Sequence, residues 1–575
     1  MNRMTQSHTT TANSPDDFVP PDLDATVWVN VEPLYQALLD RTLSCAGCLE
    51  QLLADRSELD AACSEAITNL HIQMTCHTDD ELAKKAYLDF VCSVLPKLKE
   101  VGFELDAKIV RSPHAATLCR RYEVLLRDLK ADVEIFRPEN IPLQTQDTTL
   151  DQQHDEICGA MTVAFRSRQH TLPEMAKYLE EADRATREAA WRGIWERRIA
   201  DSERLSEIFD RMIELRAEIA NNAGFNNYRD YMFTCRHRFD YTPADCVAFH
   251  RATQTICVPL MRALNARRAE ALGVDELRPW DLDVDVKGRP PLRPFDGSGE
   301  LIGKTSRLFW RMDPALGEMF DSLTAGGCLD LESRKGKAPG GYQAYRDRSR
   351  KPFIFMNAVG LHRDLQTMVH EAGHAFHSIL CQDEPLLAYR HAPIEFAEVA
   401  SMSMELMALP YLGEFYTEAE VARARRQRLE SIATLLPWIA TIDAFQHWIY
   451  QNPGHSRAQR AGHWIELNDR YGPSVSWEGL ENYRTMSWQR QGHLFGVPFY
   501  YIEYGIAQLG ALGLWIGYRQ DRAAAIECYK RALALGGSLP LPELFEAAGL
   551  SLDFGPETTK RLMDMIKREL EELPL

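Results

Sequence analysis

Two histidines and a glutamate stand close together in this 575-residue chain, in the run His370-Glu371-Ala372-Gly373-His374. On a helix, residues four apart lie on one face and one turn apart, so both imidazoles can bind the same metal ion. A glutamate beside the first histidine can reach a water molecule on that ion and take its proton. The spacing therefore predicts a zinc site, with His370 and His374 as ligands and Glu371 as general base.

This run lacks one ligand, because a catalytic zinc usually has three protein ligands and one open position. His377 extends the pattern, but it follows His370 by seven residues and lies about 10 Å farther along the same helix. Side chains spread over that length cannot all reach one ion at a zinc–nitrogen distance of about 2 Å. We therefore expect His377 to support the site or pack in the core, and another element to supply the third ligand.

A second predicted helix, at 394–405, carries three carboxylates that could complete the site. Glu395 falls in its first turn, where the helix dipole by itself explains an acidic residue. Glu398 and Glu405 are seven residues apart and share a face. One of them could bind the metal while the other hydrogen-bonds a ligand histidine, and the residue chemistry does not separate the two.

The elements around the motif are mostly helical. Strand-like apolar segments occur at 328–331 and 352–356, shortly before the motif helix, which is predicted to begin near Arg363. A glycine-rich run at 334–342 joins them; it lets a ligand approach the backbone closely, although a plain hairpin loop explains it equally well. The stretch 150–224 is predicted to be helical throughout. The sequence thus predicts a mainly α fold with a small β-sheet beside the motif helix.

We expect three regions along the chain: a disordered tail at 1–25, an N-terminal helical region at 26–220 and a catalytic region at 221–575. The first 17 residues are rich in Ser, Thr and Asn and contain no apolar segment of the kind found in secretory signals. Residues 302–305 look like the end of a phosphate-binding loop, but Ser298 stands where that motif needs glycine. A nucleotide site is therefore excluded.

Composition narrows the class of protein. The formal net charge of -18 argues against a nucleic-acid binder, which would show a basic surface. The longest apolar run, near 506–518, is too short to span a bilayer. Thirteen scattered cysteines without a secretory signal are typical of free thiols in a reducing compartment. These features predict a cytoplasmic protein without nucleic-acid or membrane partners, and they leave its oligomeric state open.

The motif helix, the following run Phe396-Ala397-Glu398-Val399-Ala400-Ser401 and Glu405 together resemble the thimet oligopeptidase/oligoendopeptidase F family of zinc metallopeptidases. The resemblance is closest to the oligoendopeptidase F branch. It implies that Glu398 is the third zinc ligand and Glu405 a supporting residue. It extends to the glycine-rich run and to 352–357, which in such enzymes line the cleft and pair with a peptide. The substrate contacts implied here are Gly340, Gly341, Tyr342 and Phe355.

A downstream segment, 492–504, also resembles the family, which places there a histidine and tyrosines that stabilise the oxyanion. His493 and the tyrosines are neutral donors suited to developing negative charge, although an aromatic helix packed in the core is the alternative interpretation. The resemblance matches His493, Tyr501 and Tyr504 to the catalytic positions, and Tyr500 to a substrate contact. Because this spacing varies within the family, the choice between Tyr500 and Tyr501 stays open.

The resemblance implies a zincin-type fold in which two helical halves surround a deep cleft. It implies one zinc ion per chain and hydrolysis of internal bonds in short unstructured peptides, with folded proteins excluded. A zinc carboxypeptidase or dipeptidase is one alternative, and a non-catalytic peptide-binding relative is another. Cleavage positions on defined peptides separate the first two activities, and zinc content tests the third.

Overall fold

The computed structural model describes residues 18–334, 336–338 and 340–575, and helices form most of it. The helices before the motif are α1 Trp28–Asp40, α2 Ala46–Cys76, α3 Glu81–Ser93, α4 Leu95–Arg111, α5 Glu123–Ile135, α6 Asn140–Gly159, α7 Leu172–Met175, α8 Arg184–Ala200, α9 Ser202–Asn222, α10 Tyr228–Cys235, α11 Pro243–Ala252, α12 Val258–Leu272, α13 Ser298–Met312 and α14 Pro314–Ala325. The motif helix and those after it are α15 His362–Leu380, α16 Leu387–Arg390, α17 Ile394–Met407, α18 Glu418–Gln451, α19 Arg457–Tyr471, α20 Glu481–Met486, α21 His493–Gly496, α22 Tyr501–Gln520, α23 Arg522–Leu533, α24 Leu541–Ala547 and α25 Pro556–Glu572.

Two small sheets interrupt the helices. The strands are β1 Thr162–Phe165, β2 Arg168–Thr171, β3 Leu329–Glu332, β4 Tyr342–Arg346 and β5 Lys351–Ala358. β1 and β2 form an antiparallel hairpin, and the other sheet has the order β3-β5-β4. β3 is parallel to the central strand β5, and β4 is antiparallel to it. The mainly α fold with a small sheet before the motif helix is confirmed.

The β1–β2 hairpin corrects the prediction that 150–224 is helical throughout. Its two-residue turn consists of Arg166 and Ser167, with φ of 47° and 63°. Hairpin turns of this kind need positive φ at both central residues, and Asn-Gly or Asp-Gly is their usual sequence signal. An Arg-Ser pair does not carry that signal, so the hairpin was missed.

The segment before α1 packs against the N-terminal helices. Of the predicted disordered tail at 1–25, residues 1–17 lie outside the described residues. Val19 and Ala25 are buried in an apolar cluster with Tyr35 of α1 and Leu105 of α4. The part of the tail that the structure describes, 18–25, is therefore packed rather than disordered, because it carries apolar residues that cover α1.

A continuous apolar core holds the motif helices in place. It includes Phe209 of α9, Phe376 of α15, Met404 of α17 and Ile506 of α22, so it runs through the predicted boundary near 220. In the described ranges, no helix combines the length and the apolar content needed to cross a membrane.

The two helices that carry the predicted ligands lie unusually close together. A Cβ added to Gly373 of α15 would lie 2.6 Å from the Cα of Ser401 on α17, so only glycine permits this approach. The start of α15 is fixed by Asp364, whose Oδ2 accepts the backbone N–H groups of Val359 at 2.8 Å and Leu361 at 2.9 Å. Ligands on the two helices can therefore meet.

Candidate active site

His370, His374 and Glu398 converge where α15 packs on α17. His370 Nε2 lies 3.5 Å and His374 Nε2 3.7 Å from Glu398 Oε2. The ligand atoms of the three side chains all lie within 4.8 Å of one another. Two imidazole nitrogens and a carboxylate oxygen are a donor set that suits zinc, so these residues fit the predicted ion.

Glu405 lies behind His370 rather than beside the other ligands. Its Oε1 is 2.9 Å from His370 Nδ1, and its Oε2 is 3.2 Å from Arg428 Nη2. A carboxylate on Nδ1 orients the ring and leaves Nε2 directed at Glu398. The geometry therefore favours Glu398 as ligand and Glu405 as its support, a choice that residue chemistry alone left open.

The charges around His370 explain why its ring binds a proton strongly. Burial would lower its pKa, but the hydrogen bond to Glu405 and the charges of Glu405 and Glu398 raise the pKa to about 9. Burial would raise the pKa of Glu405, yet Arg428 and His370 keep it below the usual range. A metal that binds His370 must displace its proton, so ion binding and proton release are coupled.

Glu371 is almost enclosed, at 7% exposure. Burial is the largest influence on its carboxyl and, with the charge of Glu398, raises its pKa to about 7 against the opposing charge of His370. A carboxyl group with a pKa near neutrality can take up and release a proton at neutral pH. The side chain is thus suited to the role of general base.

His377 lies in the core and is not one of the converging side chains. It is 5% exposed, and its ring meets that of Phe396 at a centroid distance of 6.4 Å. Burial lowers its pKa to about 4, so the ring is neutral. This position agrees with the expectation that a residue seven positions beyond His370 cannot share the ion.

His493 and three tyrosines form one aromatic group at the start of α21 and α22. The ring centroid of His493 lies 5.9 Å from Tyr500, 5.0 Å from Tyr501 and 6.0 Å from Tyr504. Burial raises the pKa of Tyr500 and Tyr504 above the usual range, and the charge of Glu398 raises both further. These two phenols therefore remain protonated and lie within the electrostatic reach of a proposed metal ligand.

The surroundings of Tyr501 differ from those of the other two tyrosines. Burial raises its pKa, but its polar neighbours are Trp438, Arg490 and Gln491, and Glu398 is not among the groups that influence it. Of the two residues between which the sequence could not choose, only Tyr500 feels the charge of Glu398, whereas both rings lie at similar distances from Tyr504, 5.2 and 5.5 Å. The charge of Glu398 thus favours Tyr500 over the predicted Tyr501 as a partner of Tyr504.

His493 can act as a neutral donor. Gln491 Nε2 lies 2.7 Å from its Nδ1, and burial lowers the pKa of the ring. Because the amide nitrogen of glutamine is a donor, Nδ1 must accept and Nε2 must carry the proton. The free N–H of the imidazole is then available to an oxygen acceptor.

The backbone at Phe499 forms the joint between His493 and the tyrosines. It is held in place by residues that sequence reasoning missed. Phe499 adopts a φ of 63°, which is unfavourable for a residue with a bulky side chain. Gln446 Oε1 accepts its N–H, and Arg238 Nη2 donates both to its carbonyl oxygen and, at 2.6 Å, to Glu503 Oε1. Because these contacts join distant parts of the chain, no local sequence pattern predicts them.

The glycine-rich run reaches the motif helix. Gly340 has a φ of 99°, and Asn357 Nδ2 donates to its carbonyl oxygen at 3.0 Å. A Cβ on Gly341 would lie 3.1 Å from Thr367 Cγ2 of α15. Both glycines are exposed, and the run leads into β4, the edge strand of its sheet. An edge strand beside the ligands can pair with an extended peptide.

Phe355 and Tyr342 correct the predicted list of substrate contacts. Phe355 is fully buried in a cluster with Ile72 and Cys76 of α2. Tyr342 stacks on Phe355 at a ring distance of 4.8 Å, and its hydroxyl lies 2.6 Å from Thr75 Oγ1. Alternate residues of a strand face opposite sides, so both side chains point to α2 and away from α15. The Phe355 side chain is therefore enclosed, whereas that of Tyr342 is half-buried and faces α2 rather than the ligands.

A cavity of about 880 Å³ lies next to the ligand cluster. It does not include the ligand side chains themselves, but Gln366, which lines it, is one turn before His370. This volume is in the upper part of the range of roughly 300–1,000 Å³ that is usual for ligand pockets. Other lining residues come from α8, α15 and α18: Trp191, Trp195, Arg363, Trp438.

The sequence model of peptidase family M3 matches residues 177–289 and 310–562 of this chain. The match includes the motif helix, α17 and the tyrosine segment, and it thus covers more than half of the chain.

Individual proteins are also similar. The oligoendopeptidase F homolog of Borreliella burgdorferi is 26% identical over 333 residues, which is 55% of this chain and 54% of that protein. Oligopeptidase PepF of Bacillus subtilis is 25% identical over 336 residues, 55% of this chain and 47% of that protein. The matches thus span about half the length of these curated relatives. A solved structure of PZ peptidase A with an inhibitor has 26% identity and a TM-score of 0.89, covering 95% of this chain and 97% of that one.

Proposed function

The chain belongs to peptidase family M3, and on that premise we propose that it is a zinc-dependent oligopeptidase that hydrolyses internal bonds of short unstructured peptides. The observation that carries this proposal is the convergence of His370, His374 and Glu398 within 4.8 Å, next to the buried carboxyl of Glu371. The names of the similar relatives, oligoendopeptidase F and oligopeptidase, support internal cleavage of small substrates.

Zinc held by His370, His374 and Glu398 would polarise the scissile carbonyl and acidify the attacking water. Glu371 takes the proton of that water and delivers it to the leaving nitrogen, which its pKa of about 7 allows. Glu405 keeps the ring of His370 in position.

The aromatic group of His493 and the tyrosines supplies the hydrogen-bond donors that stabilise the oxyanion. Tyr504 and the Nε2–H of His493 donate hydrogen bonds to the carbonyl oxygen as it becomes negative. The sequence matched Tyr501 to the third donor, but its neighbours favour Tyr500 in that role. A hydrogen bond to a charged oxygen is stronger than one to a neutral carbonyl, so these donors bind the charged transition state better than the neutral substrate.

The substrate lies along the unpaired edge of β4, close to Gly340 and Gly341. Backbone pairing at a strand edge requires an extended segment, which a short unstructured peptide provides and a folded protein does not. The neighbouring cavity receives the remainder of the peptide.

The proposal is tested on a set of unstructured peptides of increasing length, incubated with the purified protein and analysed by mass spectrometry. We expect cuts at internal bonds that cease when a chelator removes the metal and resume when zinc is restored. Cuts restricted to the terminal residues would instead establish an exopeptidase. Zinc binding without any cleavage would point to a peptide-binding relative, and a protein that neither holds zinc nor cleaves peptides would contradict the proposal.

A further inference from the structure

A second group of metal-binding side chains lies in the interior, on α11 and α18. Cys246 and His250 are four residues apart on α11, and Asp443 and His447 are four apart on α18. Each pair therefore presents both of its side chains on one face of its helix. Asp443 follows Arg428, the partner of Glu405, by 15 residues, which is about 22 Å along α18. The group is thus separate from the ligand cluster of His370, His374 and Glu398.

The two helix faces meet. His250 Nε2 lies 2.8 Å and His447 Nε2 3.4 Å from Asp443 Oδ2. The ligand atoms of Cys246, Asp443 and His447 lie within 4.8 Å of one another, as in the cluster of His370. The cluster thus holds one sulfur, one carboxylate and one imidazole, and the second imidazole, that of His250, touches it through its contact with Asp443.

This group is sealed from solvent, yet several of its polar atoms have no partner. Cys246 and Asp443 are 0% exposed, and His250 and His447 are each 5% exposed. Among the described residues, His447 Nδ1 and Asp443 Oδ1 have no hydrogen-bond partner, and His447 Nε2 has only its long contact of 3.4 Å with Asp443 Oδ2. Unpaired polar atoms in the interior are costly and call for an explanation, such as an ion.

The charge of the group also fits a divalent cation. Burial alone would raise the pKa of Asp443, but His447 and His250 hold it well below the usual range, so this carboxylate is ionised. Burial and the charge of Asp443 raise the pKa of the Cys246 thiol, so an ion that binds the sulfur must release its proton, and the thiolate then adds a second negative charge. Two negative and two neutral ligands balance a divalent ion, which removes the cost of an isolated buried charge.

We propose that Cys246, His250, Asp443 and His447 bind one zinc ion, which is distinct from the proposed catalytic ion. Sulfur, carboxylate oxygen and imidazole nitrogen are all zinc ligands, and four protein ligands leave no open position for water, as in structural zinc sites. His250 exchanges its hydrogen bond to Asp443 for the ion. The inference does not depend on peptide hydrolysis.

The site would support the segment that carries the tyrosines. The ring of His447 packs on Phe499 at a centroid distance of 5.7 Å, and the adjacent Gln446 accepts the N–H of Phe499. An ion that joins α11 to α18 would therefore fix the helix that holds this strained joint.

The first test is the zinc content of the purified full chain and its variants. We expect two zinc ions per chain in the wild type, one in the double variant His370→Ala/His374→Ala and one in Cys246→Ser. Cys257→Ser is the matched control, because this cysteine is also fully buried, lies just after α11 and belongs to no metal-binding cluster among the described residues. It should retain two ions.

Cobalt provides a second readout, because only the interior site has a sulfur ligand. Replacement of zinc by Co²⁺ should produce thiolate-to-cobalt charge-transfer absorption that persists in His370→Ala/His374→Ala and disappears in Cys246→Ser. Cys45 and Cys48 are a necessary control, since their sulfurs lie 2.7 Å apart and Cys45 is exposed. The absorption should persist in Cys48→Ser.

The outcomes are separable. A double variant His370→Ala/His374→Ala without zinc and without the cobalt absorption would overturn the interior site, as would an absorption that Cys48→Ser abolishes. A single zinc that survives the double variant but not Cys246→Ser would support the interior site and count against the proposed catalytic metal. If Cys246→Ser fails to fold, the double variant still decides through its zinc content and its cobalt absorption, because it retains Cys246.

Discussion

The ligand helices α15 and α17 and the tyrosine segment 493–504 supply the two halves of the proposed chemistry, but they are built in different ways. The ligand side is a close contact between two regular helices, in which Gly373 lets the backbones meet and residues four apart point at one place. The tyrosine side begins with a strained backbone at Phe499 that Gln446 and Arg238 hold from other elements. Helical spacing thus places two metal ligands on one face, whereas donors for a transition state depend on tertiary restraint.

The largest effect should come from the ligand side, through Glu371→Gln. Loss of the general base should lower kcat by about 10²–10⁴-fold, while zinc content stays at the wild-type value because the three ligands are intact. Peptide kinetics and metal analysis measure the two quantities. Glu414→Gln, which neutralises a carboxylate that pairs with Arg307 and Arg311, should show neither change. Normal cleavage by Glu371→Gln would mean that another group is the base.

On the tyrosine side, Tyr504→Phe removes one donor without altering the ring. We expect kcat to fall by about 10²–10³-fold with little change in KM, because the hydrogen bond is made to charge that develops only in the transition state. Steady-state kinetics on one defined peptide measure kcat and KM separately and so test this prediction. An increase in KM with unchanged kcat would show that Tyr504 binds the substrate instead.

Glu405→Gln tests whether the ligand side needs its support. The neutral amide holds the ring of His370 less strongly, so zinc affinity should fall by about 10–100-fold. Competition with a chelator of known affinity measures this. The control is Glu395→Gln on the same helix, a buried glutamate whose Oε1 accepts from Tyr241 and which is not part of the ligand cluster. Equal losses of affinity in the two variants would contradict a specific role for Glu405.

The smallest effect separates two adjacent tyrosines. Tyr500→Phe should lower kcat about tenfold more than Tyr501→Phe, because the charge of Glu398 influences Tyr500 and not Tyr501. Parallel kinetics on the same peptide give the ratio. The reverse order would restore Tyr501 as the donor that the sequence suggested.

Much of the fold was accessible from the sequence because it follows from local patterns. A mainly α protein with a small sheet was predicted from the helical spacing around His370, from the strand-like segments at 328–331 and 352–356 and from the resemblance to the oligopeptidase family. The structure confirms this fold, and the family match confirms the family. The hairpin at Arg166 and Ser167 was hidden because its turn lacks the usual residues.

The sequence predicted side-chain roles less well where a role depends on which face of a helix or strand is left uncovered by neighbouring elements. Phe355 was predicted to contact substrate, but the strand that carries it is covered on both sides, and its ring faces α2. Cys246, His250, Asp443 and His447 formed no recognisable group, because nearly 200 residues separate the two pairs along the chain. Spacing within each pair is visible in a sequence, but the meeting of two helices is not.

The sequence by itself determined the chemistry of the motif helix, since the period of an α-helix places His370 and His374 on one face whatever surrounds them. It also determined the family. Residue chemistry left Glu398 and Glu405 open; the tertiary structure favours Glu398 as ligand, as the resemblance implied, and only the tertiary structure favours Tyr500 over Tyr501. Both choices depend on the orientation of one element against another, which arises from packing between distant residues and leaves no periodic trace in the chain.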